Sequence, residues 1–306
     1  MRNAFANTLT ELATHDDRIV LLSGDIGNRM FDRFKAACPD RFFNCGVAEA
    51  NMMSMAAGLA MSGLRPVVYT ITPFVTTRCL EQIRVDVCYH HVPVVIVGVG
   101  GGLSYASLGA THHSCEDIAF LRALPHMRVV CPGDAWETRA AFKAALGQHE
   151  PVYLRLGKKD EPQVHSSEPD FEIGQAITIR DGSDVVLLST GNLLPTAVEV
   201  AELLTQENVS TRVVSFHTVK PLDEGCLADA FQTARVVATL EEHSVLGGFG
   251  GAVAEWLADQ GALRAGLVRI GTADAFLHEA GDQAYARSRN ELTTPQIAAR
   301  IRDSLV

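Results

Sequence analysis

The stretch Pro93-Val94-Val95-Ile96-Val97 decides the fold class, because a short apolar run rich in β-branched residues is typical of a strand buried on both faces. Runs of the same kind flank it at residues 18–22, 66–69, 127–130 and 151–154. Segments with helical periodicity lie between them, and one of these has Asp134 as its N-cap, with Glu137 three residues later. This alternation predicts a doubly wound α/β domain with a mainly parallel sheet.

A second α/β domain is predicted after a polar segment that contains Pro162 and Pro169. Apolar runs resume at 184–188, 211–214, 235–238 and 267–270, and helices are expected to begin near Asn192, near Gly247 and at an N-cap/N1 pair formed by Thr294 and Pro295. We therefore predict a first domain over residues 1–160, a linker over 161–172, and a smaller doubly wound domain over 173–306.

Composition limits the classes of partner. The 306 residues carry a formal net charge of −10, which disfavours nucleic acid and anionic membranes. No apolar run approaches the roughly 18 residues that span a bilayer, and the first residues lack the apolar core of a signal peptide. The seven cysteines are odd in number and form no C-x-x-C pair, so neither a disulfide framework nor a zinc site is indicated. We expect a cytoplasmic protein with a small-molecule substrate and no nucleic-acid or membrane partner.

The carboxylate of Glu49 is the first candidate for chemistry. The segment Phe43-Asn44-Cys45-Gly46-Val47-Ala48-Glu49 leads from a short predicted strand into a helix rich in small residues. Glu49 therefore stands at a helix N-terminus. Position alone also fits an acidic residue that interacts with the helix dipole.

Four further segments give Glu49 a context. Residues 73–84 carry an aromatic, Phe74, after a strand; residues 109–113 read Gly-Ala-Thr-His-His before a helix; and the second domain contains Lys220-Pro221-Leu222-Asp223 and the segment 241–250. In this order and at this spacing they resemble the transketolase family of thiamine-diphosphate enzymes. The resemblance covers nearly the whole chain, as a pyrimidine-binding domain followed by a transketolase C-terminal domain.

The resemblance implies roles for three residues. Glu49 matches the family's activating glutamate, which hydrogen-bonds the cofactor's pyrimidine and favours the tautomer that removes the thiazolium C2 proton. Phe74 resembles the aromatic that packs on the pyrimidine, although an aromatic after a strand also fits a plain core residue. His112 resembles the histidine that faces the substrate and exchanges protons with it, and its alternative is a structural histidine.

Other polar residues follow predicted strands, at the sheet edge where α/β proteins bind ligands. Asp25 follows the first strand and is a candidate for contact with the cofactor. Arg155 and Lys158 follow the last strand of the first domain and are candidates for a substrate phosphate, with a solvated basic turn as the alternative. For His243, in the second domain, we expect a structural or interface role.

The segment that holds the cofactor's diphosphate is missing. The family binds Mg²⁺ through Gly-Asp-Gly with a downstream Asn, and the nearest matches here are Gly24-Asp25-Ile26 and Gly281-Asp282-Gln283. We therefore expect the Mg²⁺ ligands on a separate N-terminal transketolase subunit. The resemblance then implies a split enzyme, most simply an α2β2 assembly with this chain as β.

The substrate loop departs from the family. Leu108 stands where transketolases carry a carboxylate, and the glycine run 100–102 falls where they often carry a phosphate-facing histidine. Leu108, which we predict to face the substrate, would disfavour a hydroxyl left unpaired there. The main interpretation is transfer of a two-carbon ketol unit between sugars or sugar phosphates. The alternatives are a 2-oxoacid dehydrogenase beta subunit, a decarboxylating enzyme similar to deoxyxylulose-phosphate synthase, and a regulatory or assembly subunit.

Overall fold

Two mainly parallel β-sheets organise the chain in a computed structural model that describes residues 1–27, 29–261 and 263–305. The strands are β1 (Ile19–Ser23), β2 (Phe42–Asn44), β3 (Arg65–Ile71), β4 (Val95–Val99), β5 (Arg128–Val130), β6 (Val152–Leu156), β7 (Ile177–Arg180), β8 (Val185–Ser189), β9 (Thr211–Ser215), β10 (Thr218–Lys220), β11 (Val236–Ser244) and β12 (Gly266–Thr272). The first sheet has the order β10-β5-β6-β4-β3-β1-β2 and the second β12-β11-β8-β9-β7. The predicted α/β class is confirmed.

Helices connect the strands and cover the sheets. They are α1 (Arg2–Ala13), α2 (Asp32–Ala37), α3 (Glu49–Met61), α4 (Thr72–Val75), α5 (Leu80–Gln82), α6 (Asp117–Arg122), α7 (Ala135–Leu146), α8 (Leu194–Gln206), α9 (Glu224–Thr233), α10 (Phe249–Ala258), α11 (Gln283–Arg289) and α12 (Thr294–Asp303), with a π-helical segment at Ile83–Tyr89. No helix in the described ranges is long and apolar enough to cross a bilayer.

Local sequence signals explain several helix starts. The Asp134 side chain accepts a hydrogen bond from the backbone N–H of Glu137, so the predicted cap of α7 is confirmed. The predicted helix near Asn192 begins as a 3₁₀ turn over Gly191–Leu193 and continues as α8. The last helix also forms, but its N-cap is Thr293, one residue before the predicted Thr294. Its capping box with Gln296 fixes that start.

Strand β10 was not predicted. It comes from the second half of the chain yet pairs antiparallel with β5 at the edge of the first sheet, with Thr218 opposite Val130. Lys220 is the last residue of β10, and its ammonium donates to the backbone carbonyls of Arg122 and Leu124 at 2.9 and 2.6 Å. The two halves of the chain are therefore joined by backbone pairing as well as by side chains.

The proposed linker contains no helix or strand, since residues 161–172 are irregular between β6 and β7. The boundaries 1–160, 161–172 and 173–306 stay a prediction. Strand β10 lies in the second predicted domain by sequence but belongs to the sheet of the first.

Candidate functional site

The carboxyl edge of the first sheet gathers most of the predicted site residues. Strands β1, β2, β3, β4 and β6 are parallel, so their C-terminal ends lie along one edge. Asp25, Glu49, Phe74, His112 and Lys158 each follow one of these ends along the chain. This is the edge at which open α/β sheets bind ligands.

Glu49 begins α3 and is buried, with 3% of its surface exposed. Gly24, just after β1, makes room for it, because a Cβ at Gly24 would lie 3.4 Å from the Glu49 Cγ and 3.2 Å from Thr70. Thr70 Oγ1 is buried and has no hydrogen-bond partner within the described parts of the chain. The Glu49 Oε2 accepts a hydrogen bond from the Arg78 guanidinium at 2.8 Å. A buried carboxyl thus lies near an unpartnered buried hydroxyl.

Phe74 links Glu49 to the substrate loop. The Arg78 guanidinium carbon lies 4.3 Å from the centroid of the Phe74 ring, in the range of a cation–π contact. The His112 ring meets the Phe74 ring edge to face, with centroids 5.2 Å apart. Glu49, Arg78, Phe74 and His112 therefore form one continuous cluster.

His112 is held by its own loop. Its backbone N–H donates to the Gly109 carbonyl at 2.9 Å, and its ring nitrogen Nδ1 lies 3.0 Å from the Thr111 hydroxyl. Burial, reinforced by the neighbouring His113, lowers the pKa of His112. The ring therefore stays neutral to lower pH than a free histidine.

The remaining candidates lie around this cluster. The Lys158 ammonium is 4.8 Å from the centroid of the Tyr105 ring, and that ring is 6.4 Å from His112. Asp25 adopts a left-handed backbone conformation and accepts from the Asn44 side-chain amide at 2.9 Å, which ties the ends of β1 and β2 together. Leu108 ends a 3₁₀ turn on the His112 loop and is 52% exposed, so its side chain is open to a ligand or partner.

Arg155 has a different environment from the one expected. Its guanidinium donates to both Asp117 carboxylate oxygens, at 2.8 and 3.2 Å, and to the backbone carbonyls of Ser114 and Glu242 at 2.8 and 3.0 Å. Its side chain is 3% exposed. Because these acceptors enclose the cation, the structure argues against the predicted contact with a substrate phosphate and gives Arg155 a role in joining the two halves of the chain.

The glycine run has a packing reason. A Cβ at Gly100 would lie 2.1 Å from the Tyr105 ring, and one at Gly102 would lie 2.5 Å from the Glu242 carbonyl. Both residues also have positive φ. The run therefore lets the loop fold back on Tyr105 and contact the second half of the chain, which a histidine at either position could not do without movement.

The second half of the chain supplies buried anchors for this loop. The Glu242 carboxylate accepts from the backbone N–H of Leu103 at 2.7 Å and from the side chains of Asn192 and Gln283 at 3.3 and 2.9 Å. His243 is buried, and its Nε2 lies 3.4 Å from the backbone nitrogen of Ala119. Its predicted structural or interface role fits this position.

Sequence reasoning missed Arg78 and Tyr105. Arg78 lay inside the quoted segment 73–84, but it belongs to a 3₁₀ turn separate from the helix of Phe74, so helical spacing did not mark it. Tyr105 gave no signal, because its place depends on the backbone of Gly100.

A group of possible metal ligands lies away from this cluster. One nitrogen of His91, one nitrogen of His126 and one Glu150 oxygen lie within 4.8 Å of one another. The Glu150 carboxylate already pairs with Arg128, so the two histidine nitrogens are the ligands most available to a metal. Mg²⁺ prefers oxygen ligands, so this group is a poor match for it.

The residues at the sheet edge fit the pyrimidine half of thiamine diphosphate. They include a buried carboxyl, a nearby unpartnered buried hydroxyl, and an aromatic ring whose face already receives a planar group, the Arg78 guanidinium. A flat ring with a hydrogen-bonding edge matches that set.

The two halves of the chain match two domain families. Residues 1–163 match the pyrimidine binding domain of transketolase, and residues 174–289 match the transketolase C-terminal domain. The fold and site thus define a subunit of the thiamine-diphosphate-dependent class of transferases. The chain belongs to the transketolase family, as the sequence resemblance indicated.

Two relatives of similar length are named as transketolase subunits. The chain is 37% identical over 260 residues to a subunit of the apulose-4-phosphate transketolase from Phocaeicola vulgatus, covering 84% of this chain and 83% of the relative. It is 36% identical over 298 residues to 6-deoxy-6-sulfo-D-fructose transketolase subunit SqwH of Clostridium sp. strain MSTE9, covering 97% and 92%. A solved split-gene transketolase, described as an inactive beta4 tetramer, superposes with a TM-score of 0.90 at 35% identity over 99% of this chain and 97% of that one. This chain is a subunit of the same split type, which implies an N-terminal partner subunit.

Proposed function

We propose that the chain works with its N-terminal partner to transfer a two-carbon ketol unit between sugars or sugar phosphates. The observation that carries this proposal is the grouping of the buried Glu49 carboxyl with Phe74 and His112 at one sheet edge. When bound, thiamine diphosphate supplies a thiazolium carbon that adds to a carbonyl and stores the electron pair released by cleavage of the adjacent bond.

Glu49 holds the proton that activates the cofactor. Its carboxyl stands at the N-terminus of α3, buried against the end of β1, and can present one oxygen to a pyrimidine nitrogen. Phe74 supplies a flat apolar surface beside that carboxyl, which orients the ring by stacking and excludes water. Asp25 supports this side by fixing the loop after β1.

His112 serves the substrate. Its ring packs edge to face with that of Phe74, and burial lowers its pKa, so the neutral imidazole can donate to a developing oxyanion or take a proton from a substrate hydroxyl. Lys158, next to Tyr105, is the remaining cation on this side for a phosphate or another anionic group. Leu108 presents an apolar side chain on the same loop and favours substrates without a hydroxyl at that point.

The partner completes the site. We infer that the Mg²⁺ ligands and the diphosphate contacts belong to the N-terminal subunit, that the two chains form an α2β2 assembly, and that the enzyme works in the cytoplasm. The absence of Gly-Asp-Gly from this sequence supports the first inference.

The test is reconstitution. The chain is purified alone and with an N-terminal subunit that carries Gly-Asp-Gly, and both samples are given thiamine diphosphate, Mg²⁺, a ketose donor and an aldose acceptor. We expect ketol transfer from the pair and none from the isolated chain, without release of carbon dioxide.

Carbon dioxide formed in step with product from a 2-oxoacid would instead identify a decarboxylating enzyme. A pair that binds cofactor but turns over no donor in a broad ketose and 2-oxoacid screen would point to a regulatory or assembly subunit. Turnover by the isolated chain would contradict the split site.

A further inference from the structure

Arg78 occupies the space between the two residues assigned to the cofactor. Its guanidinium donates to Glu49 Oε2 at 2.8 Å and lies 4.3 Å from the centroid of Phe74. These are the two contacts, one hydrogen bond to the carboxyl and one stack on the ring, that the proposed function gives to the pyrimidine. In the subunit without cofactor, the planar guanidinium of Arg78 therefore makes both of these contacts.

The chemistry of the two occupants differs in one respect. A guanidinium has N–H donors and no acceptor, so Glu49 accepts from it as a carboxylate. A pyrimidine nitrogen is an acceptor, so Glu49 has to donate to it as an acid. Glu49 therefore has opposite hydrogen-bonding roles toward the two partners.

Arg78 is also free to leave. Its side chain is 44% exposed, whereas that of Glu49 is 3% exposed, and it belongs to a short 3₁₀ turn at Thr77–Cys79. A long side chain in that position can rotate into solvent without disturbing the core around Phe74. Movement of one side chain thus converts the closed cluster into an open one.

We propose that Arg78 is an internal stand-in for the pyrimidine, which closes the site of the cofactor-free subunit and is displaced when thiamine diphosphate binds. This inference rests on the proposed role of Glu49 and Phe74. It explains how a subunit made without its partner keeps a buried carboxylate paired and an aromatic face covered. It also means that part of the cofactor's binding free energy is used to displace Arg78.

The experiment measures cofactor affinity. Thiamine diphosphate with Mg²⁺ is titrated by calorimetry into the reconstituted pair carrying wild-type chain, Arg78→Ala or Arg78→Met. We expect binding about three- to tenfold tighter in both variants, as loss of one partly exposed cation–π contact and one partly exposed ion pair implies. Arg78→Lys keeps the positive charge but lacks the planar guanidinium, so its affinity for the cofactor should lie between those of wild type and the Ala and Met variants.

Arg84→Ala is the matched control. Arg84 lies six residues further on, is 62% exposed and pairs with Glu81, so its removal should leave the affinity unchanged. Thermal unfolding of each free subunit checks that the variants are folded. Unchanged or weaker cofactor binding in both folded Arg78 variants would overturn the proposal and make Arg78 a fixed support of Glu49.

A separate arm tests the proposed function itself. If Glu49→Gln leaves turnover of the pair intact, the role of Glu49 fails, whatever the Arg78 variants show. If Glu49→Gln abolishes turnover while the Arg78 variants bind the cofactor no more tightly, the proposed role of Arg78 is wrong and that of Glu49 stands.

Discussion

Replacing Arg155 by Met separates a structural role from a substrate-binding one. Arg155 and Asp117 are both buried, with side chains 3% and 0% exposed, and the substitution leaves the Asp117 carboxylate with the Tyr153 hydroxyl, at 2.6 Å, as its remaining side-chain donor in the described ranges. Removing one member of a buried pair costs about 3–5 kcal/mol, because the other charge is stranded. We expect the free energy of unfolding of the subunit to fall by that amount.

The assay is urea unfolding followed by circular dichroism. Adding Asp117→Asn to Arg155→Met should recover much of the loss, because the stranded charge disappears. Arg18→Met, at an exposed pair with Asp16, is the control and should not change stability measurably. An Arg155→Met subunit that keeps wild-type stability, while the reconstituted enzyme shows a raised KM for phosphorylated substrates alone, would refute the structural assignment.

Three further outcomes follow from the site and its surroundings. Phe74→Ala should weaken binding of thiamine diphosphate to the reconstituted pair about tenfold or more in calorimetry, through lost stacking and apolar contact, whereas Phe276→Ala, at an exposed position, should not. Besides burial, the electrostatic influence of His113 lowers the pKa of His112, so His113→Gln should move the acid limb of the kcat/KM profile to higher pH; an unmoved limb would contradict the assignment of His112. Burial lowers the pKa of His243 to about 4, against about 6.5 in an unfolded chain. Its contribution to the free energy of unfolding is therefore complete above about pH 6.5 and is lost as the pH falls toward 4, by about 3 kcal/mol in total. Urea titrations of His243→Asn should show a smaller loss of stability over that pH window than wild type.

The strands and several caps could be predicted because their causes are local. Buried parallel strands are visible in the sequence as apolar runs. The Asp134 cap depends only on residues of the first turn of α7. The grouping of Glu49, Phe74 and His112 followed from motif order, since residues after parallel strands meet at one edge.

What the sequence did not reveal depends on distant partners. Arg155 looked like a free cation after a strand, and its partner Asp117 lies 38 residues away in the chain. Strand β10 pairs with β5 across the division between the two halves, and no local pattern of Thr218-Val219-Lys220 specifies that partner. Arg78 was visible in sequence, but its contact with Glu49 joins two separate elements.

Exchange of the C2 hydrogen of thiamine diphosphate tests the central claim most directly. Exchange into deuterium oxide is followed by NMR for the reconstituted pair, for the isolated chain and for the pair carrying Glu49→Gln. We predict fast exchange in the wild-type pair and exchange near the solution rate in the other two samples, with cofactor binding to the variant pair verified by calorimetry. Fast exchange in a folded, cofactor-loaded Glu49→Gln pair would contradict the assignment of Glu49 as the activating carboxyl.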